Sequence, residues 1–381
     1  MKKLIMLPGP TNVPEPVMRA MLEPMINHRS TSFSKLLKRI MEKGQKIFQT
    51  SGDIIGFTTS GTGGVEASVT NLVKKGDKVI VTVFGEFGTR LSEEIEDMGA
   101  HAIKITAPFG DAPSISAVEE AFQKNGKVKA LYVVANETST GVAVRWLKQA
   151  GDLCAKHGAF FVADAVSNFG GDDIPVDAYN IDVCVTASQK CIAAPPGLAI
   201  LSVNKRAKQY MLGNPPPMQY LNLPRYFKYA ERGETPFTPV LPLYWALDAA
   251  FVIMLEEGME ERIQRHKICA DAFYSAFKAA GLETFANPQN RSNTVVALKY
   301  PQGFNDKQFR GAVEDNYGVV LAGGFGEYSG KLFRVGSMGE VHRYHVMTTV
   351  GAVVNTMKQM GTHVNVEAGL SAAVNGLKSL S

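Results

Sequence analysis

From Ile54 to Val203 the chain alternates short apolar runs with stretches of helical spacing, and this alternation limits the fold more than any other feature. A run opens at Ile54, and others cover Val79–Val83, Ala102–Thr106, Ala130–Ala135, Ala159–Ala163, Val183–Thr186 and Leu198–Val203. Each has strand length, and the last three, bounded by Gly, Pro, Asn or Ser, read as buried. Between them, Val65–Val73, Gly88–Met98, Ser116–Asn125 and Leu147–His157 read as helices. Ser116 is the expected N-cap of its helix, with Glu119 completing a capping box. Strand and helix in this rhythm predict a mainly parallel α/β sheet covered by helices on both faces.

Two of the apolar runs end in an isolated charge. Asp164 is the only charged residue between Gly158 and Gly171, and Lys190 is the only one from Val183 to Asn204. A loop lysine ordinarily snorkels to water. Lys190 instead follows a buried strand and precedes the apolar Pro195-Pro196-Gly197 turn. Desolvation there lowers a lysine pKa and makes the amine a usable nucleophile or base. Strand ends in an α/β sheet are where ligands collect. One lysine and one acid at such ends suit pyridoxal phosphate, the lysine for its aldehyde and the acid for its pyridinium nitrogen.

Composition excludes several alternatives. The 40 basic and 36 acidic residues are interspersed, giving a net charge of +4 and no basic cluster for nucleic acid. No apolar stretch reaches the ~18 residues of a membrane span. The apolar run at the N-terminus is broken at Pro8, too soon for a signal peptide. Cys154, Cys184, Cys191 and Cys269 show no metal-binding spacing, so no metal is expected, and a reducing, cytoplasmic setting is. At 381 residues the chain exceeds one core and argues for two domains.

Three further segments bear on chemistry. Pro8-Gly9-Pro10-Thr11-Asn12-Val13-Pro14 cannot be regular helix or central strand and reads as an extended arm or a frayed terminus. The strand at Ile54 runs into Ser60-Gly61-Thr62-Gly63-Gly64 before a helix, a turn suited to an anion, although an ordinary strand–helix loop looks similar. It is neither a Walker loop nor a GxGxxG fingerprint. Beyond Gly281 a strand–helix–strand–strand–helix pattern predicts a small α+β unit whose strand Leu332–Val335 contains Arg334. An arginine there is ion-paired internally or kept for a ligand.

At these residues the sequence resembles the class V branch of the fold-type-I pyridoxal-phosphate enzymes, and within it the serine–pyruvate / alanine–glyoxylate aminotransferase family. The matching stretches are the PGPTN arm, SGTGG, ETSTGV, Lys190 in its Ser-Gln-Lys setting, and FRVGSMG. The resemblance implies a seven-stranded, mainly parallel sheet, with residues 1–20 as an arm, 21–260 as the cofactor-binding domain and 261–381 as the small domain. It implies that Lys190 forms the Schiff base with pyridoxal 5′-phosphate and that Asp164 pairs with the ring nitrogen. Gly61, Thr62 and Gly63 would cradle the phosphate, with Gln189 beside it. Phe87 would stack on the ring, where relatives often carry tryptophan; a plain core aromatic is the other reading. Thr138 would bond near the phenolic oxygen, and Arg334 would clamp the substrate carboxylate.

Gly9, in the arm, would lie over the substrate. Thr235, with Thr238 as the alternative, would reach the partner's phosphate in a homodimer. The implied reaction moves an amino group from alanine or serine to glyoxylate or pyruvate. The phosphonate branch, 2-aminoethylphosphonate–pyruvate aminotransferase, is the nearest rival because it shares the pattern of Phe333–Val341. A desulfurase would need a cysteine near Arg334, and the last cysteine is Cys269. A scaffold that has lost its chemistry is disfavoured by the presence of Lys190, Asp164 and Arg334.

Overall fold

The computed structural model describes residues 3–380. Among them, the central sheet has seven strands: β1 (Asp53–Phe57), β2 (Lys78–Val83), β3 (His101–Thr106), β4 (Ala130–Val134), β5 (Phe160–Asp164), β6 (Val183–Ala187) and β7 (Ala199–Val203). They lie side by side in the order β1-β7-β6-β5-β4-β2-β3. Only β7 runs against its neighbours; the β3, β2, β4, β5 and β6 pairings are parallel. Every residue of β4, β6 and β7 is buried, which is why these strands read as continuous apolar runs rather than alternating ones. The predicted mainly parallel α/β sheet is the observed one. Its register sets Asp164, the last residue of β5, beside Val134 of β4 and Val185 of β6.

Three helices begin earlier than their apolar spacing suggests. α1 (Gly61–Leu72) takes the glycine turn into its first turn, because small residues there pack closely on the sheet. A Cβ on Gly64 would come within 2.8 Å of the Ala199 Cβ. α2 (Glu86–Asp97) begins before Phe87. α3 (Ile115–Asn125) is capped by Ser114 rather than Ser116. The Ser114 backbone is extended (φ −81°, ψ 149°), and its hydroxyl accepts from Ala117 N at 3.2 Å. Ser116 is already in the helix, so its side chain cannot take the cap.

Two helices in sequence, α4 (Leu241–Glu257) and α5 (Met259–Ala279), part at Gly258, whose φ of +84° is open to glycine at little cost. The first lies against the core of the seven-stranded sheet; the second contributes Cys269, Phe273 and Phe277 to a separate apolar core. That second core rests on a small antiparallel sheet of β8 (Val295–Lys299), β9 (Ala322–Gly323) and β10 (Leu332–Gly336). The start of the arm is stitched into it. Leu4–Ile5 pairs in parallel with Val319–Val320, and Gly336 N donates to Met6 O at 2.7 Å. The chain's last described helix is Val366–Gly376. It packs through small residues: a Cβ on Gly376 would sit 3.0 Å from Ala272 Cα, so apolar spacing does not reveal it. The four cysteines are free and buried. No helix among the described residues is long and apolar enough to cross a membrane.

Candidate active site

Lys190 follows β6, Asp164 ends β5, and Gly61 opens α1 after β1, so the sheet brings them to one edge. There Gly61, Thr62, Phe87, Thr138, Asp164, Gln189 and Lys190 line one cavity of about 120 Å³. Seven of the sequence-predicted site residues thus share a wall. A larger open groove of about 860 Å³, which includes Pro216, Met218 and Tyr229, contains none of them.

The arm closes one side of the cavity. Lys190 Nζ donates to Pro8 O at 2.5 Å, and Thr11 N donates to Gln189 O at 3.2 Å. Gly9 has φ +95°, and a Cβ there would come within 2.7 Å of Lys190 Nζ. Only glycine leaves the amine its place. Burial is the largest influence on Lys190 and lowers its pKa to about 8; the Arg334 charge acts in the same direction. Burial raises Asp164 to about 6, against a hydrogen bond from Val166 N at 3.0 Å.

The first turn of α1 forms another part of the wall. Gly64 N is the first amide there to close on the preceding turn, accepted by Ser60 O at 3.3 Å. The N–H groups of Gly61, Thr62 and Gly63 precede that bond, the arrangement that receives an anion at a helix N-terminus. Gly63 does not line the cavity; its α-carbon packs on Thr59, where a Cβ would meet Oγ1 at 2.2 Å. Two buried amide oxygens, Gln189 Oε1 and Asn136 Oδ1, have no hydrogen-bond partner within the chain. Buried polar atoms are rarely left so.

Arg334, in β10 of the second core, donates through Nε to Gly323 O and through Nη1 to Thr138 O, both at 2.9 Å. It thus reaches the cavity wall from the small sheet. Burial lowers its pKa to about 10, still far above neutrality. Thr235 is not brought to this cavity. It is buried elsewhere, its hydroxyl donating to Phe237 O at 2.8 Å and its carbonyl accepting from Arg29 Nη1 at 2.6 Å. Thr238 is exposed.

Sequence reasoning passed over Glu137. Its buried carboxylate accepts from Phe87 N and Gly88 N at 3.1 Å each, and from Ser139 N at 3.1 Å. It therefore caps α2 and fixes where Phe87 stands. The acid in ETSTGV, inside a Ser/Thr cluster, was the available signal.

The family model described as class-V aminotransferase matches residues 6–359. An uncharacterised aminotransferase of Methanocaldococcus jannaschii is 41% identical over 374 residues, spanning 98% of this chain and 97% of that protein. A serine–glyoxylate aminotransferase of Methylorubrum extorquens is 31% identical, spanning 98% and 96%. The crystal structure of pyridoxamine–pyruvate aminotransferase from Mesorhizobium loti superposes with a TM-score of 0.95 at 27% identity, covering 100% of this chain and 98% of that one. The chain belongs to the class-V aminotransferases.

Proposed function

We propose that this aminotransferase moves the amino group of a small amino acid, alanine or serine, to glyoxylate or pyruvate, with Lys190 as the covalent anchor of pyridoxal phosphate. The observation that carries the reading is one half-buried amine, Lys190, sharing a cavity with one half-buried acid, Asp164, and a helix N-terminus. The family implies the cofactor, and the residues present fit it. The N–H groups of Gly61, Thr62 and Gly63 at the start of α1 offer donors to a phosphate, and Gly9 leaves room beside the amine. When bound, pyridoxal phosphate supplies an electron sink for the charge left at the substrate's α-carbon.

The chain's own residues do the rest. Amides of Gly61, Thr62 and Gly63, with Gln189, would hold the phosphate, and Phe87 and Thr138 would orient the ring. Asp164, ionised at neutral pH, would keep the ring nitrogen protonated. Lys190 Nζ, with its pKa near 8, has a neutral fraction able to take the α-proton and return it. Arg334 would grip the substrate carboxylate, its guanidinium already oriented by two carbonyls. Gly9 would cover the substrate from the arm.

The same reading takes residues 1–20 as the arm, 21–260 as the cofactor-binding unit and 261–381 as the small unit. It also takes the working form as a homodimer in which Thr235 approaches the partner's phosphate. Exposed Met18, Leu22 and Met25, close in sequence, supply apolar surface for a second copy to cover. Four free thiols support a reducing compartment such as the cytoplasm.

The decisive comparison is of initial rates. Alanine or serine with glyoxylate is expected to turn over faster than 2-aminoethylphosphonate with pyruvate. A clear preference for the phosphonate would move the protein to that branch, and no turnover with any donor would favour a silent scaffold.

A further inference from the structure

Beside Phe87 the cavity meets a second carboxyl that the proposed function leaves unused. Glu94 lies on α2 two turns after Phe87, so Phe87, Arg90, Leu91 and Glu94 occupy one helix face. All four line a recess of about 50 Å³ whose other walls include Gly61, Thr62 and Asp164. Glu94 Oε1 is shut off from solvent and has no hydrogen-bond partner. Arg90, one turn away, is committed elsewhere: its guanidinium bonds Glu86 Oε1 at 3.1–3.2 Å and lies over the Phe87 and Phe325 rings. A carboxyl oxygen enclosed without a partner is costly unless the group keeps its proton or meets a cation.

We propose that Glu94 is a positioning residue for the cofactor's ring nitrogen, forming with Asp164 a two-carboxyl unit that keeps this nitrogen protonated into the alkaline range. The proposal rests on the assignment of Asp164 to that nitrogen. The acids ionise in sequence. Asp164, raised to about 6, is charged first. Burial, and then the charges of Glu66, Asp164 and Asp97, hold the Glu94 proton up to about 8. At pH 7 the ring nitrogen therefore faces one negative charge. As pH passes the range of Glu94 a second charge appears beside the first, and the pair then resists loss of the ring proton. Glu66 on α1 and Asp97 on α2 reinforce this sign. Tyr132 on β4 is kept neutral by burial, and Arg90 on α2 is the nearby cation on that face.

The test needs no turnover. Deoxypyridoxine phosphate lacks the aldehyde, so it cannot bond to lysine; labelled with heavy nitrogen in the ring, it reports the ring proton by NMR. It is bound to the cofactor-depleted full-length protein and titrated in wild type, Glu94→Gln and Glu94→Asp. The midpoint for loss of the ring proton is expected to fall by about one pH unit, a tenfold change in acidity, in Glu94→Gln, and to return toward wild type in Glu94→Asp. An unchanged midpoint in Glu94→Gln overturns the proposal. If that variant does not fold, a carbon-labelled carboxyl titration of the wild-type protein decides: Glu94 titrating as an ordinary carboxylate overturns the proposal, and an elevated titration coupled to Asp164 supports it. Failure of the analogue to bind wild type would overturn the cofactor reading itself, and the proposal with it.

Discussion

The Glu137 carboxylate accepts the backbone N–H of Phe87 at 3.1 Å, joining the loop after β4 to the first turn of α2. The same side chain takes Gly88 N and Ser139 N, so one acid orders two loops of the cavity wall. Its closeness requires glycine at 85, where a Cβ would lie 2.4 Å from Glu137 Cγ. Glu137→Ala leaves these amides without an acceptor, a loss expected to cost about 2 kcal/mol of stability. Urea unfolding of variant and wild type measures it; equal midpoints would show that water replaces the carboxylate.

Arg334→Lys keeps a charge but loses the fork that Gly323 and Thr138 carbonyls orient. The loss is expected in kcat/KM for carboxylate donors, by about 2–4 kcal/mol. Cofactor attachment should persist, which separates a substrate role from collapse of the site. Attachment lost along with turnover would place Arg334 in the fold instead.

Gly9→Ala puts a methyl where Lys190 Nζ lies, at a φ of +95° that side chains rarely adopt. Backbone strain of about 1–2 kcal/mol and displacement of the amine are both expected. Cofactor should then attach more slowly to the variant at a given concentration, measured by the rate at which absorbance of the bound form grows. An unchanged rate would mean that the arm is not seated against Lys190 during loading.

Asp164 gives a pH dependence whose sign follows from its shift. Its pKa rises from the ordinary 3.8 to about 6 in the folded, cofactor-free protein, so folding favours its protonated form. Below pH 3.8 the shift has no effect; as pH rises from there to about 6 the folded state loses stability, and the loss then stays constant. Asp164→Asn removes that loss. The cofactor-free variant is expected to be more stable than wild type at pH 7 by about 2–3 kcal/mol and to converge with it toward pH 4. A difference that does not vary with pH would show that Asp164 is stabilised by a partner other than solvent.

Much of the site could be read from the chain because its chemistry rests on contrast. Lys190 and Asp164 are lone charges at the ends of apolar strands, and a parallel sheet gathers such ends. The glycine turn was equally visible, though its place inside α1 was not: residues of helix and turn look alike when their side chains are small. Glu137 was hidden because its partners are backbone amides of another loop, which no spacing in the sequence reveals. Ser114 displaced Ser116 as a cap because Ile115 already belongs to the helix. The helix Val366–Gly376 packs partly by close approach at Gly369 and Gly376, which apolar spacing in the sequence does not mark.

The central claim is that Lys190 anchors the cofactor, and one measurement tests it most directly. The protein is reconstituted with pyridoxal phosphate, reduced with borohydride, digested and mapped by mass spectrometry. The account predicts the added cofactor mass on the peptide containing Lys190, and none in Lys190→Ala. Cofactor mass on a different lysine in the wild-type protein, or a reducible adduct persisting in Lys190→Ala, would contradict it.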